Sequence, residues 1–363
     1  MNYWEYIQVE ELLSLQGGVD RDDSKMSNDE TLFIVVHQIY ELWFKLILRE
    51  LSTARDLFQK RPVPDMELAS AVRSLKRVVT IFDQAVHHFK VMETLTTRDY
   101  LEFRDRLLHA SGFQSAQLRE IEILLGLEDN LRVPYGKQSS FKDVLRTATG
   151  DSPALRRVEA RISSGPSLKT VIYEWLSRTP IEGSDNTEST NRFIEAFIKA
   201  YRSENRRRIR LASKDPPSPV DIERLKERFE KDAMAAEAFL RAEDVPDATP
   251  EARAFLKRVR AGILFLESYR ELPRLAWPRE VIETVIEMEQ SMVLWRQRHA
   301  RMVERVIGRR TGTGGSPGVD YLEQTAERYR IFSDLWTVRS LLLRKPKVPT
   351  IENTDEYRFR VED

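Results

Sequence analysis

The apolar positions of this chain recur mostly at helical spacing, three and four residues apart, and stretches with strand-like alternation are scarce. The clearest segment is SNDETLFIVVHQIYELWFKLILRELSTARDLF, which begins with Ser27 or Asn28 as a candidate N-cap and carries acidic residues in its first turn. Its apolar residues cover most of the helix circumference, a pattern typical of a helix buried among others. Two further helices are predicted, one over roughly 66–93 and one that starts near Arg98. The pattern predicts an all-α fold.

The helical pattern weakens after RVPYGKQSS, and turn-forming stretches such as TGDSP, SSGPS and SKDPPSPV then separate charged helices. Core-like periodicity returns with REVIETVIEMEQSMVLWRQRHARMVERVIG. We therefore expect a single helical domain over 1–363, in which 150–275 is a peripheral helical elaboration.

Composition narrows the functional classes. Lys+Arg and Asp+Glu both total 58, so the formal net charge is zero, which argues against a nucleic-acid-binding or polybasic membrane protein. The absence of cysteine removes disulfides, Cys-ligated zinc, iron–sulfur clusters and thiolate haem ligation. No secretory signal is visible, and no uncharged apolar run approaches the ~20 residues that span a bilayer. A cytoplasmic location is expected.

The chain has only five histidines, which are His37, His87, His88, His109 and His299. None sits in HExxH, and none follows a glutamate by three residues, which disfavours a zincin or a ferritin-like di-iron bundle. The adjacent pair His87 and His88 lies in a charged stretch, so ordinary surface or half-buried positions are expected for both.

Two histidines lie in apolar helices. His37 interrupts the run FIVVHQIYELWF, and His299 follows Trp295 by four residues and precedes Met302 by three, which places it in an apolar stripe. A single histidine on such a face is more often a hydrogen-bonded core residue than a ligand. Two of them in a cysteine-free helical protein also permit a haem site, in which one imidazole holds the iron and the other lines the distal pocket. Tyrosine, a less common ligand of haem iron, remains an alternative to histidine.

A second candidate group lies in DYLEFRDRLLHASGFQS. Tyr100 and Arg104 are four residues apart and share a helix face, with Phe103 beside them. An arginine among aromatic residues suits bidentate capture of a carboxylate. An ordinary ion pair with a nearby acidic side chain is the alternative.

The glycine-rich loop RRTGTGGSPGVDYL matches no phosphate-binding or nucleophile motif. It departs from GxGxxG, lacks the Lys-Ser/Thr of a P-loop, and follows a helix where a nucleophile elbow would follow a strand. Ser316 and Pro317 are predicted to be the N-cap and first residue of the next helix. The functional interpretation is a lid over a ligand, with a hydroxyl supplied by Thr313.

Taken together, these segments resemble the tryptophan 2,3-dioxygenase family. The matching segments are YWEYIQVEELLSLQ, DETLFIVVHQIYELWFKLILREL, METLTTRDYLEFRDRLLHASGFQSAQLREIEILLG, LWRQRHARMVERVIG and GTGGSPGVDYL. They follow the family's order and span the chain from end to end. The resemblance implies a helical-bundle haem protein that binds haem b (iron protoporphyrin IX). It also implies a homotetramer, with no nucleic-acid or membrane partner.

The resemblance also implies a role for each candidate residue. His37 would accept a hydrogen bond from the substrate's indole N–H, and His299 would ligate the iron. The other implied positions are Phe33 beside the indole, Arg104 and Tyr100 at the carboxylate, Thr313 at the ammonium group, Ser111 by the haem, and Tyr3 and Tyr6 in a neighbouring subunit's pocket.

The implied reaction inserts both atoms of O₂ across the indole C2–C3 bond of L-tryptophan, giving N-formylkynurenine. The chain departs from the family at Asn28, where histidine is usual, and at Phe89, where tryptophan often stands. The alternative is therefore a related haem mono- or dioxygenase that acts on a modified tryptophan in secondary metabolism.

Overall fold

The computed structural model of the chain describes residues 1–107, 110–134, 140–146, 150–184, 186–214, 218–312, 318–352 and 354–357. Its regular structure within these ranges is helical, apart from one isolated bridge between Ile181 and Ser184. The described helices, α1 to α14 in chain order, are Tyr3–Tyr6, Val9–Leu13, Asn28–Gln59, Asp65–Met92, Thr97–Arg104, Ala116–Leu125, Pro153–Ile162, Leu168–Leu176, Thr187–Ala212, Pro219–Leu240, Pro250–Ser268, Ala276–Ile307, Val319–Arg328 and Ser333–Leu341. The predicted all-α fold is confirmed.

The predicted helix starts agree with the structure at α3, α4 and α5. The Ser27 hydroxyl accepts a hydrogen bond from the backbone N–H of Glu30 at 3.1 Å, so Ser27 caps α3 as expected. Helices α4 and α5 begin at Asp65 and Thr97, each one residue from its predicted start. Side-chain caps at Ser27 and Thr96 therefore account for the starts of α3 and α5.

The start of α13 differs from its prediction. Gly318 occupies the N-cap with φ of +55°, and Val319 is the first helical residue. Only glycine adopts such a backbone conformation without strain, which explains why the helix begins there. Ser316 and Pro317, the predicted cap and first turn, lie outside the described residues.

Helix α3 is the one described helix that is long and apolar enough to cross a membrane by length and composition alone. Core helices of folded proteins pass the same test. In this chain only 22% of the apolar window of α3 is buried within the protein, although Ile47 and Leu51 are fully buried, so α3 is less enclosed than the sequence pattern predicted.

The chain forms two compact units. The first contains Met1–Asp56, Arg73–Leu168 and Glu287–Ile331, and the second contains Leu57–Val72, Lys169–Ile286 and Phe332–Asp363. The expected elaboration over 150–275 contributes to both units, and its peripheral role in a single domain stays a prediction.

The core of the first unit is built around an indole ring. Trp295 of α12 contacts the rings of Phe44, Phe82 and Phe89, with centroid separations of 5.7, 6.1 and 6.2 Å. These rings come from α3 and α4, so aromatic packing fixes the part of α12 that carries His299.

The second unit is held by apolar contacts and one buried arginine. Arg260 of α11 donates hydrogen bonds to Asp334 at 2.7 Å and to Asp244 at 2.6 Å. Gly262, also on α11, allows a close approach, because a Cβ there would lie 2.5 Å from the carbonyl oxygen of Leu176 in α8.

Candidate active site

One cavity of the first unit gathers side chains from α3 to α6, α12 and α13. Its apolar wall includes Met92, Leu118, Met302, Val303, Val306, Ile307 and Leu322. Its polar and aromatic lining includes Phe33, His37, Tyr100, Ser111, Phe113, Arg119, Trp295, Arg296, His299 and Tyr321. The two histidines that the sequence singled out therefore face one space.

The tautomer of His37 follows from its hydrogen bond. Its Nδ1 lies 2.7 Å from the carbonyl oxygen of Phe33, one turn earlier on α3. A carbonyl oxygen can only accept, so Nδ1 carries the proton and Nε2 of the neutral ring is left as an acceptor. The imidazole is thus suited to receive a hydrogen bond from a ligand.

Burial lowers the pKa of His37, and this effect outweighs the Phe33 carbonyl and the Glu41 carboxylate, which both act in the opposite direction. The side chain of His37 is exposed by surface area, yet the protein around the ring displaces enough water to favour the neutral form. His37 is therefore an uncharged acceptor at neutral pH.

His299 is held by aromatic rings on α4 and α12. Its ring lies parallel to that of Phe89, with an interplanar angle of 4° and a centroid separation of 5.5 Å, and it lies 5.5 Å from the ring of Trp295. Burial lowers the pKa of His299 to about 4, with smaller contributions from His37 and Arg296. A neutral imidazole is the form that binds iron. The departure at Phe89 thus affects the packing of the candidate ligand.

An aromatic corner lies beside His37. The ring of Phe33 is 4.1 Å from that of His37 and 6.1 Å from that of Tyr100, and both Phe33 and Tyr100 line the cavity. Phe103 packs behind them, 5.6 Å from Phe33 and 5.5 Å from Tyr100. A flat aromatic ligand would find stacking surfaces here.

Arg104 is placed differently from Tyr100. It is half-buried, and its Nη2 donates to the carbonyl oxygen of Thr311 at 2.6 Å, where the glycine-rich loop begins. Tyr100 lines the cavity, whereas Arg104 is not among the described residues that do so. The guanidinium therefore lies at the junction between α5 and the loop.

Ser111 and the two ends of the loop reach the cavity. Ser111 lines it and caps the short helical turn Gly112–Gln114, accepting a hydrogen bond from the Phe113 N–H at 3.4 Å. Gly312 and Gly318, which bracket the central part of the loop, also line the cavity. Thr313 lies outside the described residues, so its predicted contact stays a prediction.

Tyr3 and Tyr6 do not line the cavity of their own chain. Both belong to α1, which Asn2 caps, and their exposed fractions are 74% and 75%. The fold leaves these two aromatic rings open to contact with another molecule.

Three cavity-associated residues escaped the sequence prediction. Glu122 is fully buried and accepts hydrogen bonds from Arg119 and Arg296, which both line the cavity. The available signals were the spacing of three between Arg119 and Glu122 in AQLREIEILL and the position of Arg296 three residues before His299. Charged residues on a helix usually face solvent, so neither spacing was distinctive.

His87 and His88 agree with their prediction as ordinary residues. His87 is exposed and its Nδ1 donates to the Asp83 carbonyl oxygen at 2.8 Å, while His88 is half-buried. His109 lies outside the described residues.

Comparison with known proteins agrees with the resemblance. The family model for tryptophan 2,3-dioxygenase matches residues 1–342. Tryptophan 2,3-dioxygenase of Sorangium cellulosum (strain So ce56) is 66% identical over 364 residues, covering 100% of this chain and 88% of that protein. Tryptophan 2,3-dioxygenase 2 of Ralstonia nicotianae is 58% identical over 363 residues, covering 100% and 98%.

A shorter relative matches part of the chain. The tryptophan 2,3-dioxygenase-like protein of Xanthomonas campestris pv. campestris (strain 8004) is 56% identical over 269 residues, which cover 74% of this chain and 99% of that protein. The family match extends through both candidate histidines and both ends of the glycine-rich loop. The chain therefore belongs to the tryptophan 2,3-dioxygenase family.

Proposed function

We propose that this protein is a haem-dependent dioxygenase that opens the indole C2–C3 bond of L-tryptophan with O₂ to give N-formylkynurenine, the first step of tryptophan catabolism through kynurenine. One observation carries the proposal. His37 and His299, from two different helices, line the same cavity as two neutral imidazoles, one of them a free acceptor. Family membership favours tryptophan over a modified substrate.

The residues present fit haem b. His299 offers a neutral imidazole backed by Phe89 and Trp295, and apolar side chains form much of the cavity wall. His299 would hold the iron, and Ser111 would lie beside the macrocycle. Haem, when bound, supplies the oxygen chemistry, and the protein supplies binding and orientation.

The distal wall would orient the indole. His37 Nε2 would accept the hydrogen bond of the indole N–H, because Nδ1 is committed to the Phe33 carbonyl. The Phe33 ring, 4.1 Å from His37, would pack against the indole face. These two contacts would fix the C2–C3 edge, and the apolar wall would exclude water.

The amino-acid end of the substrate would be held at the junction between α5 and the loop. Arg104 carries five N–H donors, so its bond to the Thr311 carbonyl leaves others for a carboxylate. Tyr100 would assist it, and Thr313 would contact the ammonium group. Because Arg104 also bonds the Thr311 carbonyl, binding of the carboxylate would connect the substrate to the start of the glycine-rich loop.

We also propose that the protein is a homotetramer. The exposed rings of Tyr3 and Tyr6 suit contact with the pocket of a neighbouring subunit in a homotetramer. A cytoplasmic location, with no nucleic-acid or membrane partner, accompanies it.

Deletion of the first ten residues tests the role of Tyr3 and Tyr6. We expect weaker tryptophan binding with haem content largely retained, because neither ring lines its own chain's cavity. Tryptophan affinity is measured by anaerobic titration and oligomeric state by light scattering. A truncated monomer with full activity would contradict the proposed assembly.

His37→Ala tests the distal hydrogen bond. A bond that orients a substrate contributes about 0.5–1.5 kcal/mol, so kcat/KM for tryptophan should fall roughly twofold to tenfold without vanishing. The matched control is His87→Ala, since the exposed His87 makes the same kind of bond to a carbonyl one turn earlier. Unchanged kcat/KM in His37→Ala would remove His37 from the proposal.

Product analysis tests the activity itself. The haem-loaded protein is reduced once, given O₂ and either L-tryptophan or ring-substituted tryptophans, and the products are identified by mass. We expect N-formylkynurenine from L-tryptophan without continued addition of reductant. Turnover that needs a substituted tryptophan and a sustained electron supply would support the alternative oxygenase instead.

A further inference from the structure

Three guanidinium groups surround one carboxylate beside the cavity. Glu122 of α6 is 0% exposed, and it accepts hydrogen bonds from Arg119 at 2.9 Å, from Arg132 at 2.7 Å and from Arg296 at 2.8 Å. The side chains of all three arginines are less than one-tenth exposed. This cluster belongs to no step of the proposed reaction.

The cluster carries excess positive charge. Burial raises the pKa of Glu122, but the three guanidinium groups outweigh this effect and lower it to about 2, so the carboxylate is ionised at neutral pH. Asp129 also bonds Arg132, but the side chain of Asp129 is 89% exposed and its charge is screened by water. One buried anion therefore faces three buried cations. The aromatic rings of Phe141 and Tyr329 offset part of this imbalance, and a further anion would offset more of it.

The excess charge is directed into the cavity. Arg119 and Arg296 are each 5% exposed and both line it, and the guanidinium of Arg296 also packs over the ring of Tyr329 at 4.7 Å. Arg132 does not line the cavity and packs over the ring of Phe141 at 4.1 Å. Among the described residues, Glu122 is the one hydrogen-bond acceptor of Arg119 and of Arg296. It engages a single terminal nitrogen of each, so donors of both remain for a ligand.

We infer that Arg119 and Arg296, oriented by Glu122, form a carboxylate-binding site in the cavity wall, and that its ligand is a propionate of the cofactor. This inference rests on the proposed function. Arg296 and His299 lie three residues apart on one face of α12 and line the same cavity, so a macrocycle held at His299 would have this arginine within reach of its edge. Paired guanidinium groups suit a planar carboxylate.

The substrate carboxylate is the other source of the same chemistry. Tyr100 and Arg104 already offer it a guanidinium and a hydroxyl on α5 and at the loop. With Arg119 and Arg296 assigned to the cofactor, the substrate carboxylate and the cofactor propionate are bound by different arginines.

Two porphyrins that differ only in their carboxylates test the predicted contact between the arginines and a propionate. The apo-protein is loaded with iron protoporphyrin IX or with its dimethyl ester, which lacks both free carboxylates, and release to excess apomyoglobin is timed. Wild-type protein should release the diacid roughly tenfold or more slowly than the diester, as two charge-assisted bonds would require. Arg119→Gln and Arg296→Gln should each lose most of this preference.

Arg132→Gln is the matched control. It removes a partner of Glu122 without altering the cavity wall, so it should retain the wild-type preference even if the protein becomes less stable. The preference compares two ligands on the same variant, so general destabilisation cancels. Equal preference in wild type, Arg119→Gln and Arg296→Gln would overturn the inference.

Glu122→Gln tests the positioning role. We expect faster release of the diacid with unchanged release of the diester, because the arginines lose their shared anchor. Equal acceleration of both would mean that Glu122 only supports the fold and would overturn its assigned role.

Two further measurements separate the possible failures. Loss of the preference for tryptophan over tryptamine in Arg119→Gln and Arg296→Gln, with the diacid preference retained, would assign the site to the substrate and overturn the inference. Wild-type protein that binds neither porphyrin would overturn the proposed function, and the inference with it.

Discussion

His299→Ala should yield a folded protein that no longer retains haem. The chain has no cysteine, and no described histidine other than His37 shares the cavity with His299. Phe89 and Trp295 hold the His299 ring in place, so alanine would remove the ligand and leave the surrounding aromatic packing largely intact. Haem content per chain and the ferrous absorption spectrum measure the effect.

Two controls accompany this variant. His88→Ala removes a half-buried histidine that lies outside the cavity, and it should keep the wild-type haem content. Circular dichroism establishes that His299→Ala is folded, and added imidazole should restore part of the haem binding. Full haem content with an unchanged ferrous spectrum in His299→Ala would remove His299 as the iron ligand.

Arg104→Lys should raise KM for tryptophan strongly. Lysine keeps the charge but loses the planar fork that binds a carboxylate through two hydrogen bonds. It would also weaken the bond to the Thr311 carbonyl, which joins α5 to the glycine-rich loop. A hydrogen bond to a charged group contributes about 1.5–3 kcal/mol, so loss of one of the two should raise KM roughly tenfold to a hundredfold.

Tryptamine and a neighbouring arginine supply the controls. Tryptamine lacks the carboxylate, so wild type and Arg104→Lys should bind it with similar affinity. Arg106 pairs with Glu30 and does not line the cavity, so Arg106→Lys should leave KM near the wild-type value. An Arg104→Lys variant with wild-type kinetics would show that Arg104 does not hold the carboxylate.

Short-range signals in the sequence predicted much of the fold. The Ser27 cap and the continuous apolar surface of α3 identified that helix and its start. The exception at Gly318 arises because a positive φ at the N-cap favours glycine over the Ser-Pro pair that precedes it. Helix starts that depend on a side-chain cap can be predicted from the sequence, whereas starts that depend on backbone conformation are harder to predict.

The candidate site was predictable only where residue type was unusual for its surroundings. His37 and His299 stood out as titratable groups in apolar helices, and the structure places both on one cavity. Glu122 and its arginines did not stand out, because charged residues are common in a chain that is 32% charged. Their pairing depends on contacts between residues up to 174 apart in sequence.

Other parts of the site depend on partners distant in sequence or on other chains. The bond between Arg104 and Thr311 joins residues 207 apart, and no local pattern contains it. The packing of Phe89 against His299 likewise appears only when α4 and α12 are brought together. The rings of Tyr3 and Tyr6 are exposed in the single chain, so their proposed role requires contacts from a second chain.

The fate of the oxygen atoms tests the central claim most directly. The haem-loaded wild-type protein is reduced once, mixed with L-tryptophan and ¹⁸O₂, and the product is analysed by mass spectrometry under rapid quench. If His37 orients the indole over the haem that His299 holds, both labelled atoms should appear in N-formylkynurenine. A product with a single labelled atom, formed only while an electron donor is supplied, would contradict the account.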